Sequence, residues 1–138
     1  MPSIRRILVC VAIVLLLAGC AGAKRKDALT STLYAYHSAI RWGDIDTAWQ
    51  MVDPKYREQH PMSGVERSRY DQYAVSGYRE QGSGMAAENS YRQVIEISLV
   101  NRHTQTEKVM IDQQTWRYDE LTETWWLTTG LPDYTRAR

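Results

Sequence analysis

The chain contains no phenylalanine, and its only two cysteines, Cys10 and Cys20, stand within the first twenty residues. The rest of the chain has no thiol. It therefore has no disulfide to staple it, no cysteine nucleophile and no cysteine ligand for zinc, and its stability has to come from an apolar core. Charge of one sign is also lacking, since 17 Lys and Arg face 16 Asp and Glu. A general nucleic-acid binder is basic, so no nucleic-acid partner is expected. His37, His60 and His103 lie far apart, none with a second His or a Cys at ligand spacing, and no metal site is expected. No G-x-S-x-G occurs, and Gly77, Gly82 and Gly84 lack the Lys and Ser or Thr of a phosphate-binding loop. Hydrolase and nucleotide-binding chemistry are thus unsupported, and neither catalytic residues nor a cofactor are expected.

What is present begins at the amino terminus, where Arg5 and Arg6 precede an apolar run from Ile7 to Leu16, followed by Leu17, Ala18, Gly19 and Cys20. A basic start, a short apolar core and small residues before a cut site make an export signal. About a dozen apolar residues fall short of the roughly 20 a membrane-crossing helix needs. The order Leu, Ala, Gly, Cys resembles the lipobox of bacterial lipoproteins, in which the cysteine is acylated and becomes the new amino terminus. That resemblance implies a signal peptide over residues 1–19, lipid on Cys20, and a cell-envelope protein held to a membrane by acyl chains. Ala21 stands where an Asp would retain such a protein in the inner membrane, which implies the outer membrane, facing the periplasm. A second cut stays open, because Ala21, Gly22, Ala23 is an A-x-A pattern whose cleavage would remove Cys20. Residues 20–26 read as a lipidated tether, in which Lys24, Arg25 and Lys26 either attract anionic headgroups or form a solvated linker.

From Asp27 the pattern becomes that of a folded domain, expected over residues 27–134 with a frayed tail over 135–138. Leu29, Leu33, Tyr36 and Ile40 recur at helical spacing, with Asp27 placed to cap the start and Gly43 to end it. Asp44 opens a second helix with Ile45, Ala48, Trp49 and Val52, and Pro54 starts a third short piece towards His60. Ser63 and Glu66 have capping-box spacing ahead of a helix to about Tyr70. The period then shortens. Tyr73–Arg79 is a weak strand, and Gln81–Met85 reads as a glycine-rich loop. Tyr91, Gln93, Ile95, Ile97 and Leu99 alternate as the buried face of a clear strand. Val109–Tyr118 is a third strand, with Val109 and Ile111 opposite Met110 and Trp116 so that both faces are expected to have apolar neighbours, and Trp125–Leu127 a fourth, stopped by Gly130 and Pro132.

Helices first and a strand meander afterwards make an α+β fold, with N-terminal helices packed on a curved antiparallel sheet. The segment His37, Ser38, Ala39, Ile40, Arg41, Trp42, Gly43, Asp44, with Ala48, Val52, Asp53 and Pro54 after it, resembles the nuclear transport factor 2-like cone. In layout the chain is similar to small bacterial lipoproteins of that superfamily. The fold hosts isomerases, dehydratases, carriers and inert scaffolds alike, so the resemblance implies a shape and not a reaction.

Five Trp and nine Tyr supply all the aromatic character. Their rings combine an apolar body with a polar tip, which suits pocket walls and interfaces. Trp49, Tyr91, Trp116, Trp125 and Trp126 are expected on the helix-to-sheet seam or at a cone mouth, first as a core packed with large rings and alternatively as pocket or interface residues. Trp125 and Trp126 must face opposite ways in a strand, which leaves one of them exposed or covered by a protein partner in the envelope. His37 is expected to be an exposed or ordinarily hydrogen-bonded histidine, and the alternative has it face the cavity near Asp112 or Glu96 as an acid–base pair. The leading expectation is a non-enzymatic binding or accessory module. The alternatives are a cone-fold enzyme of proton transfer or dehydration, and a carrier of a small hydrophobic ligand.

Overall fold

A computed structural model describes residues 3–138. Four helices precede the sheet: α1 (Ser3–Trp42), α2 (Ile45–Gln50), α3 (Pro54–Gln59) and α4 (Gly64–Asp71). Polar caps set their boundaries. Gly43 adopts φ 74°, the left-handed turn that ends α1. The Asp44 carboxylate then accepts from the Thr47 amide to open α2, and Asp53 accepts from Lys55 to open α3 around Pro54. Ser63 and Glu66 form the expected reciprocal capping box of α4.

The strands β1 (Tyr73–Ala87), β2 (Ser90–Asn101), β3 (Glu107–Asp119) and β4 (Thr124–Leu127) form one antiparallel meander in the order β1-β2-β3-β4. The sheet is curved and unclosed, with the helices packed on one face, an α+β arrangement of cone-like form. Register shifts between Val75 and Gly77, Glu80 and Gly82, and Met85 and Ala87 bend β1. The odd-numbered face of β2 is the buried one, with Ile95, Ile97 and Leu99 almost fully enclosed. Met110 and Trp116 of β3 pair with Ile97 and Tyr91 in register, and Leu127 of β4 pairs with Trp116. Against this face α1 lays its stripe of Leu29, Tyr36, Ala39 and Ile40.

Several sequence expectations differ from the structure. α1 does not begin at Asp27 but runs unbroken through residues 20–26, because no Gly or Pro with breaking geometry interrupts it and Arg25 is packed on the domain instead of solvated. Gln81–Met85 is strand, since Gly82, Ser83 and Gly84 pair with Val94, Gln93 and Arg92 of β2. Val109 and Ile111 lie on the outer face at 45% and 52% exposure, so β3 buries one face only. The tail is not frayed: Tyr134–Arg136 is a 3-10 turn, Ala137 is buried, and Arg138 and Val109 exchange two backbone hydrogen bonds.

The first half of α1 stands clear of the domain, with Ile7, Leu8, Val11 and Val14 more than half exposed. No charged residue separates Arg6 from Lys24, and the helix holds an 18-residue window of mean hydropathy 2.5. The uncharged stretch continues past Leu16 to Ala23, so, contrary to the expectation from the shorter run, the helix is by length and composition sufficient to cross a membrane, and it is equally compatible with a signal sequence.

Candidate functional site

The helices and the C-terminal turn leave a cleft of about 470 Å³ at the end of the cone where β1 begins. Each element contributes a ring. Trp49 comes from α2, Tyr56 and His60 from α3 and its end, Tyr70 from α4, Tyr73 from the start of β1 and Tyr134 from the 3-10 turn. The rings hold one another in place. Tyr70 and Tyr73 meet Tyr134 edge to face at 4.9 and 5.9 Å between centroids, and Tyr56 stacks on His60 at 4.4 Å.

Three charged residues complete the lining, Glu66, Arg69 and Asp133. Hydrogen bonds from Ser63, with the Arg69 charge adding to them, hold the Glu66 carboxyl below its usual range. Thr135 does the same for Asp133, assisted by Arg136 and Arg69. Both carboxylates therefore stay ionised and occupied by their caps. Burial pushes the Tyr70 and Tyr134 phenols well above their ordinary value, so they remain neutral hydroxyls at any physiological pH. A cleft of rings, neutral hydroxyls and a few fixed charges suits recognition of a small ring-bearing molecule.

The inner face of the sheet also carries a polar cluster, in which Gln93 and Gln114 are buried and Asp112 and Tyr78 partly so. The Gln114 amide donates to the Asp112 carboxylate at 2.7 Å and to the Tyr78 hydroxyl at 3.1 Å. Its carbonyl accepts from Gln93 and from the Trp116 indole. Burial pushes the Asp112 carboxyl up to about 6 despite the Gln114 bond, which acts in the opposite direction. The hydroxyls of Tyr36 and Tyr134 are buried in this region with no hydrogen-bond partner among the described residues.

Because its carboxyl is raised from 3.8 to about 6, Asp112 binds its proton more tightly in the folded than in the unfolded protein. Its contribution to stability is complete at low pH and is lost as pH rises from about 4 through 6. Asp112→Asn should accordingly stabilise the domain by about 2 to 3 kcal/mol at pH 8 and by much less at pH 4. Urea unfolding of both proteins at the two pH values checks this, and an equal difference at both would show that Asp112 ionises freely.

Of the residues singled out from sequence, only Trp49 lines the cleft. Trp116 is wholly buried, its ring edge against Tyr36 at 5.1 Å, and Trp125 is buried with its indole donating to the Arg25 carbonyl. Trp126, on the opposite face, is half-buried, as is Tyr91 beside Trp116 in the register. His37 stacks on the Tyr78 ring at 4.3 Å, and no hydrogen bond joins it to Asp112 or Glu96 among the described residues. Cys20 sits exposed on α1 as a free thiol. The cleft tyrosines escaped the sequence reading because they come from four separate elements with no spacing in common. The chain matches no family model and no curated protein.

Proposed function

We propose that this chain is a lipoprotein of the bacterial cell envelope, anchored through Cys20, whose nuclear transport factor 2-like domain binds a small ring-bearing ligand without transforming it. The observation that supports the binding role is the cleft of six rings, five of which pack on one another in stacked or edge-to-face contacts. The lipobox-like Leu17, Ala18, Gly19, Cys20 supports the anchor. With two or more acyl chains such an attachment is stable, whereas one chain binds only marginally.

One experiment has an arm for each half. Cells fed labelled fatty acid should label the parent and leave Cys20→Ala unlabelled and released to the soluble fraction. If the parent takes up no label and Cys20→Ala stays in the membrane, an uncut α1 is the anchor and the lipid assignment is wrong. For the cleft, the amphiphilic ring probe anilinonaphthalene sulfonate should bind the purified protein at one saturable site. Trp49→Ala should weaken it about tenfold, the effect of removing a central aromatic contact. Undiminished binding to the variant would place the site elsewhere.

A second reading, proton transfer inside the cone, draws on Asp112, a carboxyl raised to about 6 near the Tyr36 and Tyr134 hydroxyls. Asp112 does not line the cleft. Binding is therefore the better-supported role.

A further inference from the structure

The helix that bears Cys20 is rigidly attached to one end of the domain. Arg25 makes the attachment: its guanidinium donates to Asn89 at 2.8 Å, pairs with Glu88 and Glu120, and lies 4.8 Å over the Tyr118 ring. Its carbonyl receives the Trp125 indole at 3.0 Å. Just before it, Lys24 pairs with Glu123 at 2.7 Å. The two cations are thus directed at the carboxylates of the β1–β2 and β3–β4 turns, which are drawn against the helix. Cys20 lies one helical turn further back, about 6 Å along the axis.

At the tip of the β3–β4 turn stands Leu121, 97% exposed, the barest large apolar side chain among the described residues. Its own backbone is tied down, the amide donating to Asp119 at 2.9 Å. Its exposure is therefore a fixed presentation. The cleft opens at the other end of the molecule. From Arg25 to Arg41, which bonds the Val75 carbonyl near the start of β1, α1 extends about 24 Å.

We infer that the end of the domain formed by Glu88, Asn89 and the 119–123 turn lies against the membrane, with Leu121 entering the bilayer beside the acyl anchor. This rests on the anchoring role given to Cys20. Lys24 and Arg25 pair with three of the four acidic residues of these turns, Glu88, Glu120 and Glu123, which lowers the repulsion of headgroups at this end, and a bare leucine gains by burial at the headgroup boundary. The cleft then faces away from the lipid and takes its occupant from the aqueous side.

The test uses the full lipidated protein in vesicles of phosphatidylcholine and phosphatidylglycerol. With Cys20 acylated, Leu121→Cys supplies a single thiol for an environment-sensitive fluorophore, and His103→Cys, in the β2–β3 turn at the cleft end, serves as reference. Nitroxide-bearing lipids should quench the label at 121 at least about twofold more than at 103, as expected for a group within about 5–10 Å of the acyl boundary. Combining Leu121→Cys with Arg25→Ala should bring the two values together while flotation with vesicles persists. Equal quenching at 121 and 103 in protein that floats overturns the orientation and leaves the anchor standing. Protein that fails to float overturns both.

Discussion

Trp116→Ala should remove about 4 kcal/mol of stability, the cost typical of deleting a large buried aromatic side chain. The side chain is fully enclosed, and three kinds of contact end with it. Its edge-on packing against Tyr36 is lost, as is the wall it forms between its register partners Tyr91 and Leu127. The Gln114 carbonyl loses the indole donor, which disturbs the amide that also holds Asp112 and Tyr78. Domains of this size are stable by about 5 to 15 kcal/mol in total, and here no disulfide makes up the difference. Urea titration should show the midpoint falling by a third or more, or no cooperative transition at all. Trp116→Phe separates the contributions, keeping most of the ring while removing the N–H, at a cost of about 1 kcal/mol. A loss below about 1 kcal/mol for the alanine variant would mean that the helix-to-sheet seam is not packed around this residue.

Gly130→Ala is the second large effect, and it acts on the cleft as well as on stability. Gly130 adopts φ 76°, and a Cβ there would lie 2.5 Å from the Tyr56 hydroxyl and 2.6 and 2.8 Å from two of its ring carbons. Such distances cannot persist. Either the chain between β4 and the 3-10 turn shifts, or the Tyr56 ring leaves its stack on His60. Left-handed backbone strain of about 1–2 kcal/mol adds to about 1–3 kcal/mol for overpacking. The expected total is about 3 kcal/mol, with binding of the ring probe falling about tenfold. Gly130→Ala/Tyr56→Ala should recover part of the lost stability, because the obstructing ring is gone, but none of the binding. A single variant of parental stability would show that Tyr56 is not held against the Gly130 backbone.

The elements that could be read from the sequence are those specified by local chemistry. The caps at Asp44, Asp53 and Ser63 act within a single turn, and the alternation in β2 needs only one strand and one buried face. What escaped depends on neighbours distant in the chain. The glycines of Gln81–Met85 resemble a loop until β2 is set beside them, since their ladder is made entirely of cross-strand bonds. Arg25 resembles a linker residue until Asn89 and Glu120 are brought to it from 64 and 95 residues along the chain. The site follows the same rule. Trp49 was legible as an aromatic on a short helix, but Tyr70, Tyr73 and Tyr134 become a wall only when α4, β1 and the C-terminal turn converge. Asp112 was legible only as a possible neighbour of His37, whereas its burial and its bond from the Gln114 amide, which set it apart, arise only once the sheet is folded.

The C-terminal turn also sets an order of events. Leu131, Asp133 and Tyr134 line the cleft, while the sheet and the helix caps involve only residues that precede them, apart from the Arg138 pairing at Val109. The sheet and the four helices can thus pair before the last wall of the cleft is in place. A chain ending after Gly130 would lose that wall and, with Pro132, Tyr134 and Ala137, part of the core, so the last residues complete the cleft and the packing together.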